Sequence, residues 1–201
     1  MENGTIYTLI PLADFKAVLG IDDREDALSR YCLITATFTI EQYCHRRLLV
    51  QSVTEYPDYT GDGLVLLGEY PVRELEYVHY SRERRFCPES LLPPERYGLI
   101  PEGEGLEDRP YHLDLKADPR LLAGERCVKV KYRAGYGPEE VPPDLASACL
   151  ELAAWNMTRY RGRRIGITGN VRGNGKDGEH LETSMPENVR QLLEPYRRRV
   201  I

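Results

Sequence analysis

Apolar positions follow a helical period at both ends of the chain and a strand period in its middle. Over 12–19, "LADFKAVL", Leu12, Phe15, Val18 and Leu19 fall on one helical face, and Gly20 stands where a helix usually ends. An acidic run follows. Asp22 or Asp23 can cap a new helix, and Glu25 and Asp26 suit its first turn. The run lacks the spacing and the glycine of a calcium loop. The next stretch, "ALSRYCLITATFTIEQYCHRRLL", carries two periods at once. Ala27, Tyr31, Ile34 and Phe38 recur at helical spacing, whereas Thr35, Thr37 and Thr39 alternate with Ala36, Phe38 and Ile40 as in a strand. Its length and opening acids predict one long helix, with Arg46 and Arg47 at its end. Leu33, Ile40 and Cys44 add a second apolar side, and a helix apolar on two sides packs between partners or against another subunit.

From residue 50 to 134 the pattern is short strands and turns. Turns are predicted at Gly61-Asp62-Gly63 and over 68–71, and Val72, Leu75, Tyr77 and His79 mix with polar neighbours as in a half-exposed sheet. Residues 86–110, rich in Pro, Glu and Gly, read as a long loop. "YHLDL" and "CVKVKYRAGYG" are further strands. In the second, Cys127 or Val128, then Val130 and Tyr132, alternate with Lys129, Lys131 and Arg133, which predicts one dry and one wet face. A helix follows that Pro142 and Pro143 can precede or begin, with Asp144 a good cap. Leu145, Ala148, Leu152 and Trp155 line one side of it, and Cys149, Leu150, Ala153, Ala154 and Met157 cover much of the rest, so it reads as largely buried. A short terminal helix follows, with Val189, Leu192 and Leu193 on its face and Pro195 and Tyr196 at its end. The order of helices, strands and helices predicts an α+β fold, mainly helical: a small bundle of about four helices with a strand-rich insertion between the second and third major ones.

Composition narrows the class. The 201 residues are 41% hydrophobic and 29% charged, enough for a real core in a soluble chain. No run of eighteen apolar residues predicts a membrane span, and the N-terminus lacks the basic and apolar regions of a signal peptide. The five cysteines are widely spaced without a C-x-x-C pair, which predicts reduced thiols in a cytosolic compartment. Charge is uneven. Residues 1–158 carry 17 Lys/Arg against 27 Asp/Glu, a net of −10, whereas 159–201 carry 10 against 5, a net of +5. A basic tail on an acidic body points to an anionic partner, nucleic acid or the acidic face of another subunit. Equally, Arg159, Arg161, Arg163 and Arg164 can simply offset the negative end of a helix dipole. Fourteen tyrosines against three phenylalanines and one tryptophan suit either an interface or the solvent edge of a small sheet.

Candidate chemistry is sparse. "RGNGKDG", 172–178, has the G-x-G-x-x-G spacing of a dinucleotide loop, but no buried strand precedes it and Pro186 blocks an early helix after it. A Walker loop fails too, because Asp177 follows Lys176 where Ser or Thr is needed. The glycines read instead as a flexible arm. His45, His79, His112 and His180 form no metal-binding spacing, and Cys44 and His45, adjacent on a helix, point about 100° apart. No nucleophile elbow and no paired carboxylates in an apolar setting stand out. No enzyme activity, cofactor or metal is expected.

The strand ending Tyr132-Arg133-Ala134-Gly135-Tyr136-Gly137, then Val141-Pro142-Pro143-Asp144-Leu145, then an alanine-rich helix with a bulky aromatic and an arginine-rich end, resembles the head–tail connector (adaptor) proteins of long-tailed bacteriophages and prophages. "IPLADFKAVLGIDDREDA", "IEQYCHRRLL" and "SMPENVRQLLEPYRRR" resemble the opening, the long-helix end and the closing helix of that family. The likeness covers roughly 1–50 and 126–201, whereas 51–125 is longer than the family's usual strand insertion. It implies a single connector domain over 1–201, helical over 1–50 and 140–201, with a β-rich insertion at 51–135 and a glycine-rich arm at 165–185. It implies a non-catalytic protein of the virion, made in the bacterial host cytoplasm. About a dozen copies would form a ring below the portal, closed by a heterologous contact. Its partners would be the portal protein, a tail-completion protein and the genomic DNA in the channel, with no membrane. Arg159, Arg161, Arg163, Arg164, Arg172 and Lys176 are the candidate assembly or DNA contacts. The competing reading is a DNA-binding packaging or regulatory factor that uses the same arginines.

Overall fold

Gly20 ends the first helix as its sequence predicts. In the computed structural model, which describes residues 8–101, 111–116, 120–162 and 185–198, α1 spans Leu12–Leu19 and Gly20 adopts the left-handed conformation at φ 63°. Asp22 then accepts the Arg24 N–H and caps a 3-10 turn at Asp23–Glu25, from which α2 runs over Asp26–Cys44. Lys16 of α1 pairs with both Asp23 and Asp26 and pins the turn. The threonines of the double-period stretch are helical: Thr35 and Thr39 turn their hydroxyls back to the carbonyls of Tyr31 and Thr35, so they need no sheet partner. α2 stops because His45 takes a left-handed conformation at φ 54°. Arg46 and Arg47 therefore lie beyond the helix, not in its last turn.

The described chain divides into two compact units, 1–45 with 138–201, and 46–137. In the first, α2 packs on α3, Pro143–Arg161, which in turn carries α4, Glu187–Leu193. Small and medium side chains line the contact: Cys32, Leu33, Ala36 and Ile40 from α2 and Ala148, Cys149, Leu152 and Ala153 from α3 are buried. The Thr37 hydroxyl sits 3.8 Å from the Cys149 sulfur and accepts the Leu9 N–H at 3.3 Å. Pro143 opens α3, and Asp144 is not its cap. Asp144 instead lies in the first turn and accepts the Tyr196 hydroxyl at 2.5 Å. The Arg198 N–H donates to the Cys44 carbonyl at 2.8 Å and satisfies one of the open carbonyls at the end of α2.

The second unit holds two three-stranded antiparallel sheets. Gln51–Glu55 (β1) and Val72–Tyr80 (β3) flank Val128–Ala134 (β6), and Leu64–Leu66 (β2) and Gly98–Pro101 (β4) flank Tyr111–Asp114 (β5). The predicted alternation of β6 holds: Val128, Val130, Tyr132 and Ala134 are buried, whereas Lys129, Lys131 and Arg133 face outward. These inward residues share one core with Val65 and Leu113 of the second sheet and with Leu67 and Leu115 just past its strands. Two register shifts break the period of β3, so Val78 is buried while Leu75, Tyr77 and His79 are only half-buried.

Two expectations change. Residues 86–110 are not one long loop: two 3-10 turns, Pro88–Ser90 and Pro94–Arg96, lead into β4. Four residues ending in proline carry almost no periodic signal, and Pro101 is tolerated because β4 is an edge. The fold is α+β with four α-helices and two small sheets among the described residues, so "mainly helical" understates the sheets. The arm at 165–185 lies outside the described residues except for Met185.

The "YRAGYG" motif has a steric reason. Gly135 sits at φ 107°, and a Cβ there would lie 2.5 Å from the Leu49 carbonyl carbon and oxygen and 2.8 Å from the Val50 nitrogen. On either side, Tyr136 N–H donates to Leu48 at 2.7 Å and Val50 N–H to Tyr136 at 3.1 Å. Gly135→Ala is expected to lower stability by about 2–4 kcal/mol, since a backbone clash adds to left-handed strain. Urea unfolding checks this, and a loss below about 0.5 kcal/mol, the range of an ordinary surface change, would contradict it.

Candidate assembly surfaces

α2 is apolar on two sides, and the structure separates them. Leu33, Ala36, Ile40 and Cys44 face the first unit's core, while the side first picked out by the helical period faces away. Tyr31 is 54% and Phe38 53% exposed; Ala27 is exposed, and Ile34 is half-buried. Spacings of four, three and four residues place these side chains in one stripe. The Tyr31 ring meets that of Tyr160 edge-on at 5.5 Å. On α1, Val18 and Leu19 are exposed too, so only Phe15 of its predicted face is buried.

The arginine-rich end of α3 is partly committed within its own unit. The Arg161 guanidinium forks onto the Glu25 carboxylate, Nε donating at 2.9 Å. That hydrogen bond raises the pKa of Arg161 above its ordinary value. Arg159 lies over the Trp155 ring, 4.5 Å from its centroid. Both are candidates named from sequence, and each already has a partner. Arg163, Arg164, Arg172 and Lys176 lie outside the described residues.

The wet face of the first sheet gathers cations and aromatics that sequence spacing did not bring together. Lys131 pairs with Glu76 at 2.6 Å, and that hydrogen bond holds the carboxylate below its usual range. The Lys129 ammonium lies 5.7 Å from the Tyr77 ring centre and 6.0 Å from that of Phe86. His79 packs edge-on between Tyr77 and Phe86, and its Nδ1 is 2.9 Å from the Ser90 hydroxyl. Burial and then Lys129 lower its pKa.

Sequence reasoning also missed Arg46. It is buried, its guanidinium stacks on the Tyr70 ring at 3.6 Å, and its Nη1 donates to the Tyr70 carbonyl at 2.7 Å. Arg47 N–H meets Glu69 Oε2 at 2.9 Å beside it. A basic pair after a helix looks like dipole compensation, and nothing local announces a partner 24 residues away.

Burial pushes the Cys32 thiol up to about 11 and the Cys149 thiol up to about 12. Among the described residues no group of three His, Cys, Asp or Glu side chains could hold a metal ion, and no helix is long and apolar enough to cross a membrane.

The whole described length has known counterparts. A family model described as head completion protein matches residues 8–199. The chain is similar to one in the neck of an empty gene transfer agent (GTA) particle with C6 symmetry, at 22% identity and a TM-score of 0.59. It is similar to one in the neck of a native GTA particle with C12 symmetry, at 21% identity and a TM-score of 0.56. In both cases 96% of this chain and 91% of the other is covered. A chain of the native GTA virion matches over the same shares at 22% identity and a TM-score of 0.57. A search of curated proteins found no match.

The His79 cluster generates a pH dependence. Its folded pKa is depressed, so the unfolded chain takes up the proton more readily. The contribution is present above the ordinary histidine range of about pH 6.5 and is lost as pH falls through the folded pKa. Melting temperatures measured from neutral pH downward should fall, and His79→Gln should make that fall shallower. An unchanged slope in the variant would remove His79 as its source.

Proposed function

The chain belongs to the head completion protein family, and on that premise we propose that it is a structural head–tail connector. About a dozen copies close a ring below the portal, in keeping with the C12 symmetry of one similar neck structure. The ring extends the DNA channel and offers a docking surface to the tail or its completion protein. It acts in the virion, after synthesis in the host cytoplasm, as one connector domain with no catalytic role.

The observation that carries this reading is the outward stripe of α2. Tyr31 and Phe38 each leave more than half of their surface in water. Covering a large apolar side chain contributes about 1.5–3 kcal/mol, so a stripe of this kind is stabilised by a neighbour. The net −10 of residues 1–158 suits a channel that DNA slides through rather than sticks to. A DNA-binding packaging or regulatory factor is the competing role. Arg161 would have to leave Glu25, and Arg159 the Trp155 ring, to grip phosphates. Arg163, Arg164, Arg172 and Lys176 are the contacts this role would use, and in the connector they serve assembly near the channel.

Native mass and negative-stain imaging, at high concentration with and without the portal protein of the same genome, test the connector. Rings are expected, alone or on the portal, and deletion of residues 168–180 should weaken portal attachment. A monomer that never joins the portal, but binds DNA with steep salt dependence, would favour the competing role.

A further inference from the structure

A ring needs two different patches on every copy, because a heterologous contact joins unlike surfaces. Among the exposed apolar patches of the described surface, two can serve as the pair, one in each unit. The first is the α2 stripe. The second is the outer face of the sheet β2–β5–β4. There Leu64 is 40%, Leu66 37% and Ile100 45% exposed, while their neighbours Val65 and Leu113 are buried. Register sets them in rows across the sheet: Leu66 pairs with His112 and His112 with Ile100, and Leu64 pairs with Asp114.

One charge on each patch is opposite in sign. Arg30 is exposed beside the α2 stripe, next to Tyr31 and three residues from Ala27, although the run Asp22–Asp26 that precedes it is mostly acidic. Beside Leu64 stand Asp114, across the ladder, and Asp62, two residues back. Asp62 accepts hydrogen bonds from the Thr60 hydroxyl at 2.8 Å and the Leu64 N–H at 3.0 Å, which hold its carboxyl below the usual range and so keep it charged. A helix ridge laid on one face of a small sheet is an ordinary packing layer. The central strand β5 sets His112 and Asp114 between the apolar side chains of the two edge strands, and interfaces combine apolar contacts with polar pairs in this way.

We propose that α2 of one copy docks on the outer face of β2–β5–β4 of the next, with Tyr31 and Phe38 against Leu64, Leu66 and Ile100, and that this contact closes the ring. The inference rests on the ring reading and names its interface. The occupant of each patch is therefore a second copy of this chain, not the portal or a tail protein.

Two double variants separate the faces: Tyr31→Glu with Phe38→Glu, and Leu66→Glu with Ile100→Glu. Thermal melts confirm that each is folded; where one melts early, the single changes Tyr31→Glu and Leu66→Glu replace it. Native mass is then measured wherever the wild-type protein assembles. Each variant alone should need at least about tenfold more protein to form rings. An equal mixture should give a two-copy species with one of each, joined through the two intact faces and unable to grow. Charge reversal gives a second readout: Arg30→Asp or Asp114→Arg alone should weaken rings, and both in one chain should restore them. Normal rings from either double variant, a sheet variant that pairs with itself through α2, or a mixture without a mixed pair would each overturn the contact while leaving the ring reading intact. A wild-type protein that stays monomeric, alone and with the portal, would overturn both.

Discussion

Backbone lies directly on backbone at Gly135, and much of the second unit is organised around that approach. A Cβ there would lie 2.5 Å from the Leu49 carbonyl, so only glycine allows the end of β6 to meet the segment that leads into β1. Once that approach is made, other groups lock it. The Gly135 N–H donates to Pro71 at 3.0 Å, and its carbonyl accepts Arg73 Nε at 2.7 Å. The Arg46 guanidinium holds the Tyr70 carbonyl next to them. On the buried side, the Tyr132 hydroxyl accepts the Glu69 N–H at 3.0 Å, and Glu55 accepts that of Gly68. The turn over 68–71 is thus held from strands that are distant in sequence, and β1, β3 and β6 share one anchoring point.

The first unit follows a different constraint. Its helices meet through small side chains, Ala36 on α2 and Ala148 and Ala153 on α3, which let two 19-residue helices pack along their length. That contact uses one side of α2 and leaves the other apolar side outward. For a monomer this is a liability; in the proposed ring a neighbouring copy would cover it. Family membership and the outward stripe therefore point the same way, from independent observations. Charge adds to the picture by what it withholds. Arg161 and Lys131 are paired with Glu25 and Glu76, so much of the positive charge that looks available in the sequence is already answered within the fold.

Local rules made much of this legible. Gly20 after Leu19 and the alternation from Val128 to Arg133 each depend on neighbours a few residues away, and each gave the right element; Asp22 caps the 3-10 turn ahead of α2 and not α2 itself, whose N-cap is Glu25. The threonines at 35–39 were the ambiguous case. Capping acids and length decided it for a helix, because a hydroxyl can bond back along its own helix. The short strand β4 was not legible, since its identity rests on pairing with β5 rather than on any period of its own. Asp144 looked like a cap because it follows two prolines, but the helix starts earlier and its carboxylate serves Tyr196.

By itself the sequence determined the order and type of the long elements, the two-sided character of α2, and the likeness to connector proteins. These are properties of periodicity, capping and local motif. Only the tertiary structure decided which side of α2 faces inward, because both sides are apolar and the choice belongs to the helices packed against it. It also decided that Arg46 is buried on Tyr70, that Arg161 is spent on Glu25, and that leucines and an isoleucine from separate strands form one outer face on the second sheet. Each of these depends on residues brought together across tens of positions, and long-range pairing leaves no period in the chain to read.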